Sequence, residues 1–394
     1  MDMRTRLLCS TLGIFFSVPI AVAQDGAPIE GAIDVESTIL LTPLSNRDSD
    51  IETEPVLGEF SVNGTAQKIL ENGVRVRAQG ALRVQADHPS RPGGIGGFGS
   101  DTVAPVGAFS GLSSATPIET SDIRARLETA YLQVDGGYGE VRVGKDRGVA
   151  ARFYEGAKSS LSHARLDSSL LDPTGLATVR TRHDLTGPSL KVSYATPRLI
   201  GIRAGASFTP DASADGLDRR PQSGTGGVAP GAENAVELGL NGTRLLRESG
   251  WRFDVGLGWS TADVKNSEEL LYTNSVETWS AGTRIEKDDW TFGLSWLDSN
   301  NGGVNGDYTA WSAGLSRYAY NTDFSIEFGE SEDRFAGLDS ESWRLGFARD
   351  IDPQSRIGIA YLHDTVRTFQ QKRDTNGIVV EITLSQEIVE LTGN

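Results

Sequence analysis

A strict alternation of apolar and polar residues recurs along most of this chain. In residues 74–86 every second position is apolar or small, and three of the residues between them are arginines. The same pattern returns in 251–259 and 290–296, where tryptophan, phenylalanine, valine and leucine alternate with small or polar residues. Successive side chains of a strand point to opposite faces, so each segment predicts a β-strand with one apolar and one polar face.

Alternation alone leaves two all-β architectures open. In a soluble sandwich the apolar faces form a core and the polar faces meet solvent. In a membrane barrel the apolar faces meet lipid and the polar faces line a water-filled interior. The choice between them depends on the N-terminus, the aromatic residues and the composition.

The N-terminus has the features of a secretory signal peptide, which we assign to residues 1–23. Arg4 and Arg6 precede an apolar run over 7–20, and Ala21-Val22-Ala23 supplies a small-residue cleavage site. The only cysteine, Cys9, falls within this leader, so no disulfide is expected. No other segment reaches the about 18 apolar residues of a membrane helix. If the chain spans a membrane, it does so with strands.

Aromatic residues lie near both ends of the alternating segments. Trp251 and Trp259 flank one segment and Trp290 and Trp296 flank another. Amphipathic rings prefer the two interfaces of a bilayer, and the spacing is close to the span of a tilted strand. The alternative is that these rings fill the core of a sandwich.

The composition favours a turn-rich β-protein and excludes one class of partner. The chain has 46 glycines, 38% hydrophobic residues and a formal net charge of −16. A strongly acidic protein does not attract nucleic acid through a general positive field, so nucleic acid is not an expected partner. The polarity is compatible with a barrel whose inner wall is wet.

Fifteen segments between residues 56 and 385 have strand patterns, and short turns alternate with long polar connections between them. Single-chain bacterial barrels have an even number of strands, so we predict an all-β, transmembrane antiparallel β-barrel of sixteen strands over 56–394. Residues 24–55 are acidic and weakly patterned, with only 38–42 resembling a strand. We interpret them as an N-terminal extension that packs at or trails from the barrel mouth.

Three segments resemble a known family. Ala130–Gly148, AYLQVDGGYGEVRVGKDRG, is similar to the strand, turn, strand and glycine-basic segment of general porins of Gram-negative outer membranes, especially the alphaproteobacterial branch. The segment KILENGVRVRAQGALRVQAD resembles an early strand of that branch, and Leu190–Pro210 resembles its later hairpin. The resemblance implies a trimeric, sixteen-stranded channel in the bacterial outer membrane whose third external loop folds inward. The matching constriction loop here is 147–186.

The resemblance also implies roles for charged residues at the constriction. By parity, six arginines on the strands before the loop face the interior: Arg75, Arg77, Arg83, Arg124, Arg126 and Arg142. The loop offers three carboxylates opposite them: Glu155, Asp167 and Asp172. Such an arrangement sets a transverse field across a narrow aqueous gap. The alternative is that some arginines only pair with Glu128, Glu140 or Asp146 along the wall.

Two features differ from the family pattern. Porins usually end on an aromatic residue, whereas this chain ends in LSQEIVELTGN. The acidic segment before residue 56 is extra. Together they leave open how the barrel closes.

Motifs for chemistry are weak. The glycine pattern at 94–99 has no strand before it and no helix after it, and the phosphate-loop pattern at 139–145 falls within a strand and lacks the final serine or threonine. The four histidines show no metal-ligand spacing. We therefore expect no catalytic residues, no metal site and no cofactor, with calcium on acidic loops such as 211–218, 298–307 and 330–333 as the open alternative.

The expected function is passive diffusion of ions and small hydrophilic solutes through an outer-membrane porin that acts as a homotrimer among lipid and lipopolysaccharide. A substrate-selective channel is the near alternative. A plugged structural or adhesive barrel and a soluble periplasmic binding protein are the others. The sequence does not predict pore size, ion preference, gating or the trimer contacts.

Overall fold

A computed structural model describes residues 28–47, 54–92, 106–113, 123–212, 231–265, 272–368 and 371–393. The predicted signal peptide lies outside this part of the chain. The described residues form sixteen antiparallel strands and one short helix, α1 (Val149–Arg152). No helix among them is long and apolar enough to cross a bilayer.

The strands are β1 (Ile29–Arg47), β2 (Val56–Ile69), β3 (Arg75–Ala86), β4 (Arg124–Gly136), β5 (Gly139–Asp146), β6 (Ser189–Ala195), β7 (Ile202–Ala212), β8 (Gly231–Leu246), β9 (Trp251–Lys265), β10 (Ser275–Lys287), β11 (Trp290–Ser299), β12 (Tyr308–Ala319), β13 (Thr322–Asp333), β14 (Leu338–Asp352), β15 (Ser355–Arg367) and β16 (Lys372–Gly393). Each pairs with its sequence neighbours, and β1 pairs with β16 to close the barrel. The predicted sixteen-stranded barrel is confirmed. Because closure leaves no unpaired edge, every strand's backbone can be satisfied within a membrane.

The sixteenth strand is the segment that we had assigned to an N-terminal extension. β1 runs antiparallel to β16 from the Ile29↔Gly393 pair to Arg47↔Thr375, and to β2 from Glu30↔Gln67 to Leu41↔Val56. Ile29–Arg47 is therefore part of the wall, and the predicted boundary at residue 56 is wrong. Its pairing with β2 is regular from residue 30 to 41, but the small residues Gly31, Ala32 and Ser37 weaken the contrast between its apolar and polar faces.

The barrel is apolar outside and polar inside. On β11, Leu294 is 41% exposed whereas its neighbour Ser295 is fully buried. On β9, Leu257 is 45% exposed and Ser260 is fully buried. A soluble sandwich would bury the leucines instead. The outward apolar surface is the one that a lipid bilayer covers.

The outer surface is not uniform around the barrel. All seven tryptophans of the chain lie on β9, β10, β11, β12 and β14. The rings of Trp259 and Trp279 lie on neighbouring strands with centroids 6.2 Å apart and planes tilted by 57°, and Trp296 pairs in register with Trp311. The tryptophans therefore lie on one side of the barrel only, where amphipathic rings suit the bilayer interface.

The connections at the two rims differ in length. One rim has tight turns, such as Tyr320 and Asn321 between β12 and β13, where φ values of 55° and 56° suit a two-residue hairpin turn. The other rim carries the long connections, including residues 147–188 between β5 and β6. We call this last connection the inward segment, because it folds into the barrel.

Candidate functional site: the inward segment and the arginine-rich wall

The inward segment begins with a short helix that docks on the inner wall. The N–H of Val149 at the start of α1 donates to Ser207 Oγ on β7 at 3.2 Å. Val149, Ala150 and Ala151 are all buried, and Phe153 follows them against the wall. Apolar burial thus turns the chain inward directly after β5.

The outbound limb of the segment, residues 149–164, follows the wall from β7 to β16. Lys158 Nζ lies 2.9 Å from Asp323 on β13, and the N–H of Ser160 donates to Ser325 Oγ at 3.0 Å. The limb stays against the wall over this path and does not cross the lumen freely.

Nine consecutive strands each present a glycine where the inward segment touches them: Gly205, Gly239, Gly256, Gly282, Gly293, Gly314, Gly329, Gly346 and Gly358. A Cβ at Gly282 would overlap the carbonyl oxygen of Glu155, and one at Gly293 would overlap the backbone of Ala157. We call this set the glycine track. Its missing side chains let the segment's backbone approach the wall closely.

The tip of the segment is held by strands at the barrel seam. The N–H groups of Ser162, His163 and Ala164 donate to the Glu381 carboxylate on β16 at 2.7, 2.9 and 3.1 Å. Three converging N–H donors satisfy a buried carboxylate well. The tip is therefore fastened to the last strand of the barrel.

His163 adds a second attachment at the seam. Its Nε2 lies 3.4 Å from Glu59 on β2 and 3.6 Å from Glu36 on β1. Burial acts to lower the pKa of His163, but its bond to Glu59 and the charges of Glu59, Glu381 and Glu36 raise it above the ordinary value. A protonated imidazole is thus favoured among these acids.

The return limb, residues 165–188, runs back above the first in a second layer. Its hydrogen bonds to the wall include Thr174–Asp364 at 2.6 Å, Thr178–Ser340 at 2.6 Å, Thr181–Ser295 at 2.6 Å, His183–Ser260 at 2.7 Å and Thr186–Glu237 at 2.7 Å. Both limbs contact the β7–β16 side. The return limb also bonds to the end of β3, through Leu170 to Gln85 at 2.7 Å and through the Asp172 N–H to Asp87 at 2.8 Å. The segment therefore narrows the lumen by reaching from the β7–β16 side to β3.

Two of the three predicted loop acids lie inside the segment and do not face a gap. Asp172 accepts hydrogen bonds from the N–H groups of Thr174, Gly175 and Ala177, and it is fully buried. Asp167 accepts from the Thr181 N–H at 2.8 Å and from the Tyr154 hydroxyl. Since serine and aspartate in loops commonly bond nearby backbone, these carboxylates shape the segment.

Glu155, the third predicted acid, faces the β8–β10 wall. It lies 3.5 Å from Arg284 Nη1 and accepts a hydrogen bond from Asn241 Nδ2 at 3.1 Å. Burial raises the pKa of Glu155, Arg284 lowers it, and the charge of Asp254 raises it, with a net upward shift. This acid is not opposite the predicted basic wall.

Three of the six predicted arginines lie on the β3–β4 wall near the return limb. Arg83 Nε donates to Glu59 at 2.9 Å, and Arg83 pairs in register with Arg126. Arg124 donates to Gln85 Oε1 at 2.9 Å, and Gln85 in turn donates to the carbonyl oxygen of Leu170 in the return limb. The structure therefore brings these arginines to the narrowed level of the barrel.

The other three predicted arginines are placed differently. Arg142 lies 2.8 Å from Glu140 and 3.1 Å from Asp146, as in the alternative of pairing along the wall. Arg77 donates to Gln67 at 3.1 Å, and Arg75 is exposed where β3 starts at the short-turn rim. Arg75 and Arg77 are therefore remote from the inward segment.

The structure brings together four further arginines that the sequence pattern did not single out. Arg91, Arg147, Arg180 and Arg182 line a cavity of about 70 Å³ beside the return limb, together with Asp184. We call it the arginine cavity. A usable signal was present, because residues 147–186 contain six basic and four acidic residues in a strongly acidic chain.

A second, larger cavity of about 870 Å³ opens below the segment toward the short-turn rim. Its lining mixes cations, including Lys158, Arg165 and Arg356, with acids such as Asp289 and Asp323. Among the described residues no group of three or more histidine, cysteine or acidic side chains is placed to hold a metal ion. Calcium on the acidic loops stays a prediction, since most of 211–218 lies outside that part of the chain.

Comparison with known proteins is consistent with this geometry. A family model described as Gram-negative porin matches residues 11–368, a range that includes β1. No curated protein matches the chain.

Solved structures share the fold at low identity. The outer membrane channel DcaP of Acinetobacter baumannii is similar with a TM-score of 0.58 and 11% identity, over 92% of this chain and 99% of that one. An anion-selective porin from Comamonas acidovorans gives 0.54 and 10%, over 91% and 99%. The trimer form of in-vitro folded OmpT of Vibrio cholerae gives 0.53 and 12%, over 90% and 99%.

The closed sixteen-stranded barrel, its apolar outer band, its inward segment and the family match over most of the chain agree with one another. A barrel with a lipid-facing exterior and a polar interior belongs in a membrane and can conduct water-soluble molecules. The chain belongs to the Gram-negative porin family and is a channel of the bacterial outer membrane.

Proposed function

We propose that this porin lets ions and small hydrophilic solutes cross by passive diffusion, without chemical conversion, and that it favours anions. The route passes the arginines of the β3–β4 wall, beside the points where Leu170 and Asp172 of the return limb bond to the end of β3. The observation that carries this proposal is the charge along that route. Arg83, Arg124 and Arg126 lie on the wall, and the arginine cavity adjoins them, because Asp87 pairs with both Arg91 and Arg124.

The charge balance at this level supports the anion preference even after the carboxylates that pair with the arginines are counted. Among the described residues, seven arginines, those of the wall and those of the arginine cavity, meet four carboxylates: Glu59, Asp87, Glu128 and Asp184. Of the predicted loop acids, Asp167 and Asp172 are buried within the segment, and Glu155 faces the opposite wall. Cations that line a narrow aqueous gap lower the energy of a passing anion and raise that of a cation. The net charge of −16 for the whole chain therefore does not set the preference.

The test is the single-channel current of the detergent-refolded protein in a planar bilayer under a potassium chloride gradient. We expect stepwise currents and a reversal potential of the sign that chloride permeation gives. A cation-type reversal potential would contradict the anion preference. A folded barrel without current would favour a plugged structural role.

We also propose a homotrimer that associates through the outer face of β1–β4. This face has no tryptophan and carries small or apolar residues, including Val62, Gly64, Ala78 and Gly80. Smooth faces of this kind allow close packing of backbones between subunits. The tryptophan-bearing side would then meet outer-membrane lipid and lipopolysaccharide.

A further inference from the structure

The arginine cavity is built from three separate parts of the chain. Arg91 comes from the end of β3, Arg147 from the start of the inward segment, and Arg180 and Arg182 from its return limb. Phe109, Leu170 and Val179 supply apolar lining. Guanidinium groups held beside apolar surface are less well hydrated than in open water, so their attraction for an anion is stronger.

Three of the four arginines are bonded to other parts of the protein. Asp184 is bonded to Arg147, and Arg91 is paired with Asp87. Arg147 also lies 3.6 Å from Glu128 on β4. Arg180 donates to the backbone carbonyl oxygens of Ser110 and Pro92.

Arg182 is the group that the described residues satisfy least. Its Nε is buried and has no hydrogen-bond partner among them. Burial lowers the pKa of Arg182, and the positive charge of Arg147 lowers it further. Buried polar groups in native proteins are nearly always hydrogen-bonded, so a buried guanidinium N–H without a partner indicates a place for an acceptor.

We propose that the arginine cavity is a binding site for the oxyanion group, carboxylate or phosphate, of a small anionic solute. The planar fork of a guanidinium matches both groups with paired hydrogen bonds. A volume of about 70 Å³ has room for about five water molecules, at the about 10–15 Å³ that each needs. It therefore fits the charged group of a solute, while the rest of the solute extends into the route.

This inference deepens the proposed diffusion function, because the site lies beside the proposed route. Anions that bind there pass through a saturable step, and at high concentration they occupy the site and hinder one another. A porin with such a site conducts chloride in proportion to concentration but shows saturation with oxyanions.

The first measurement is isothermal titration of the refolded, detergent-solubilised protein with inorganic phosphate and, separately, with formate. We expect saturable binding of at least one of the two. Arg182→Gln should weaken it by about tenfold or more, since it removes one charged hydrogen-bond donor. Arg182→Lys keeps the positive charge but lacks the planar guanidinium. Its affinity should lie between those of the unaltered protein and Arg182→Gln.

Lys158→Gln is the matched control. It removes the same charge from the same inward segment, but Lys158 lines the larger cavity and pairs with Asp323. Its phosphate affinity should equal that of the unaltered protein. The heat-dependent gel mobility of each variant reports whether the barrel is folded.

The second measurement separates this inference from the diffusion proposal. In a bilayer, added phosphate should reduce the chloride current to a plateau, with a half-saturating concentration that rises in Arg182→Gln. Current without saturation by either anion would overturn the site and leave the channel intact. Saturable binding in the titration without any channel current would overturn the diffusion proposal and leave the proposed binding site standing. Equal weakening in Arg182→Gln and Lys158→Gln would also overturn the site.

Discussion

The two sides of this barrel differ on both faces. On β7–β15 the inner face carries the glycine track and the inward segment lies directly on it, whereas on β3–β5 the inner face carries long arginine side chains. On the outer face the large side chains lie on one side of the barrel and the small ones on the other. β9–β14 carry every tryptophan, and β1–β4 carry small residues at positions such as Gly64 and Gly80.

The difference shows how one closed sheet can hold a docked backbone segment on one side and keep a charged, polar inner face on the other. Where the wall is stripped of side chains inside, a backbone segment can dock on it. Where the wall keeps its charged side chains, we propose that water and solutes pass beside it. Closed barrels have no edge, so these roles are divided around the circumference by the residues that point in or out.

The largest effect is expected from filling the glycine track. Gly282→Val places a side chain where the Glu155 carbonyl oxygen lies, so it should displace the outbound limb at a cost of about 1–3 kcal/mol for overpacking. We expect a larger single-channel conductance and faster protease cleavage within the segment. Gly242→Ala is the control, because a Cβ there meets no atom within 4 Å. Unchanged conductance in Gly282→Val would mean that the segment does not limit the route.

The next effect concerns the outer face. Gly64→Trp adds a large ring where a Cβ meets nothing within 4 Å in the single subunit, so the barrel should still fold. If β1–β4 form the subunit contact, the trimer band on a native gel should be replaced by a monomer band. If the variant forms trimers of normal stability, the subunit contact lies on a face other than β1–β4.

A smaller effect is expected from the arginine-rich wall. Changing Arg124 and Arg126 together to alanine removes two positive charges at the narrowed level, so the reversal potential under a salt gradient should shift toward cations. The paired control is Arg75→Ala with Arg77→Ala, which removes the same charge near the short-turn rim. Equal shifts in the two double variants would show that the narrowed level has no special influence.

The smallest effect is a dependence on pH at the segment tip. His163 gains partners in the folded state and its pKa is raised, so its stabilising contribution is complete below the unfolded pKa of about 6.5. The contribution is lost as the pH rises through the folded pKa. Protease cleavage of the segment should therefore become faster on going from acidic to alkaline buffer, and His163→Gln should remove most of that change.

Much of the fold could be predicted because its signal is local. Fifteen strands have a period of two in the sequence, and the even-number rule supplied the sixteenth. The missed strand, Ile29–Arg47, alternates weakly because Gly31, Ala32 and Ser37 are small, and its partner β16 is at the other end of the chain. A pattern search along the sequence cannot find pairing of that kind.

The candidate site was less predictable, because contacts between distant parts of the chain determine which charged residues face the lumen. Parity correctly indicates that Arg83 and Arg124 point inward, but it cannot show that Asp167 and Asp172 bond their own loop. Nor could spacing bring Arg91 beside Arg182, since they are far apart in sequence. The excess of basic residues within 147–186 was the readable clue.

The fastening of the segment tip to Glu381 has a consequence for the order of assembly. The three N–H donors at 162–164 bond to the Glu381 carboxylate on β16, which follows about two hundred residues later in the chain. Contacts of such long sequence separation form late, because the entropy of closing the loop must be met first. The tip of the inward segment should therefore be fastened last, when β16 pairs with β1, although the rest of the segment can dock earlier on β7–β14.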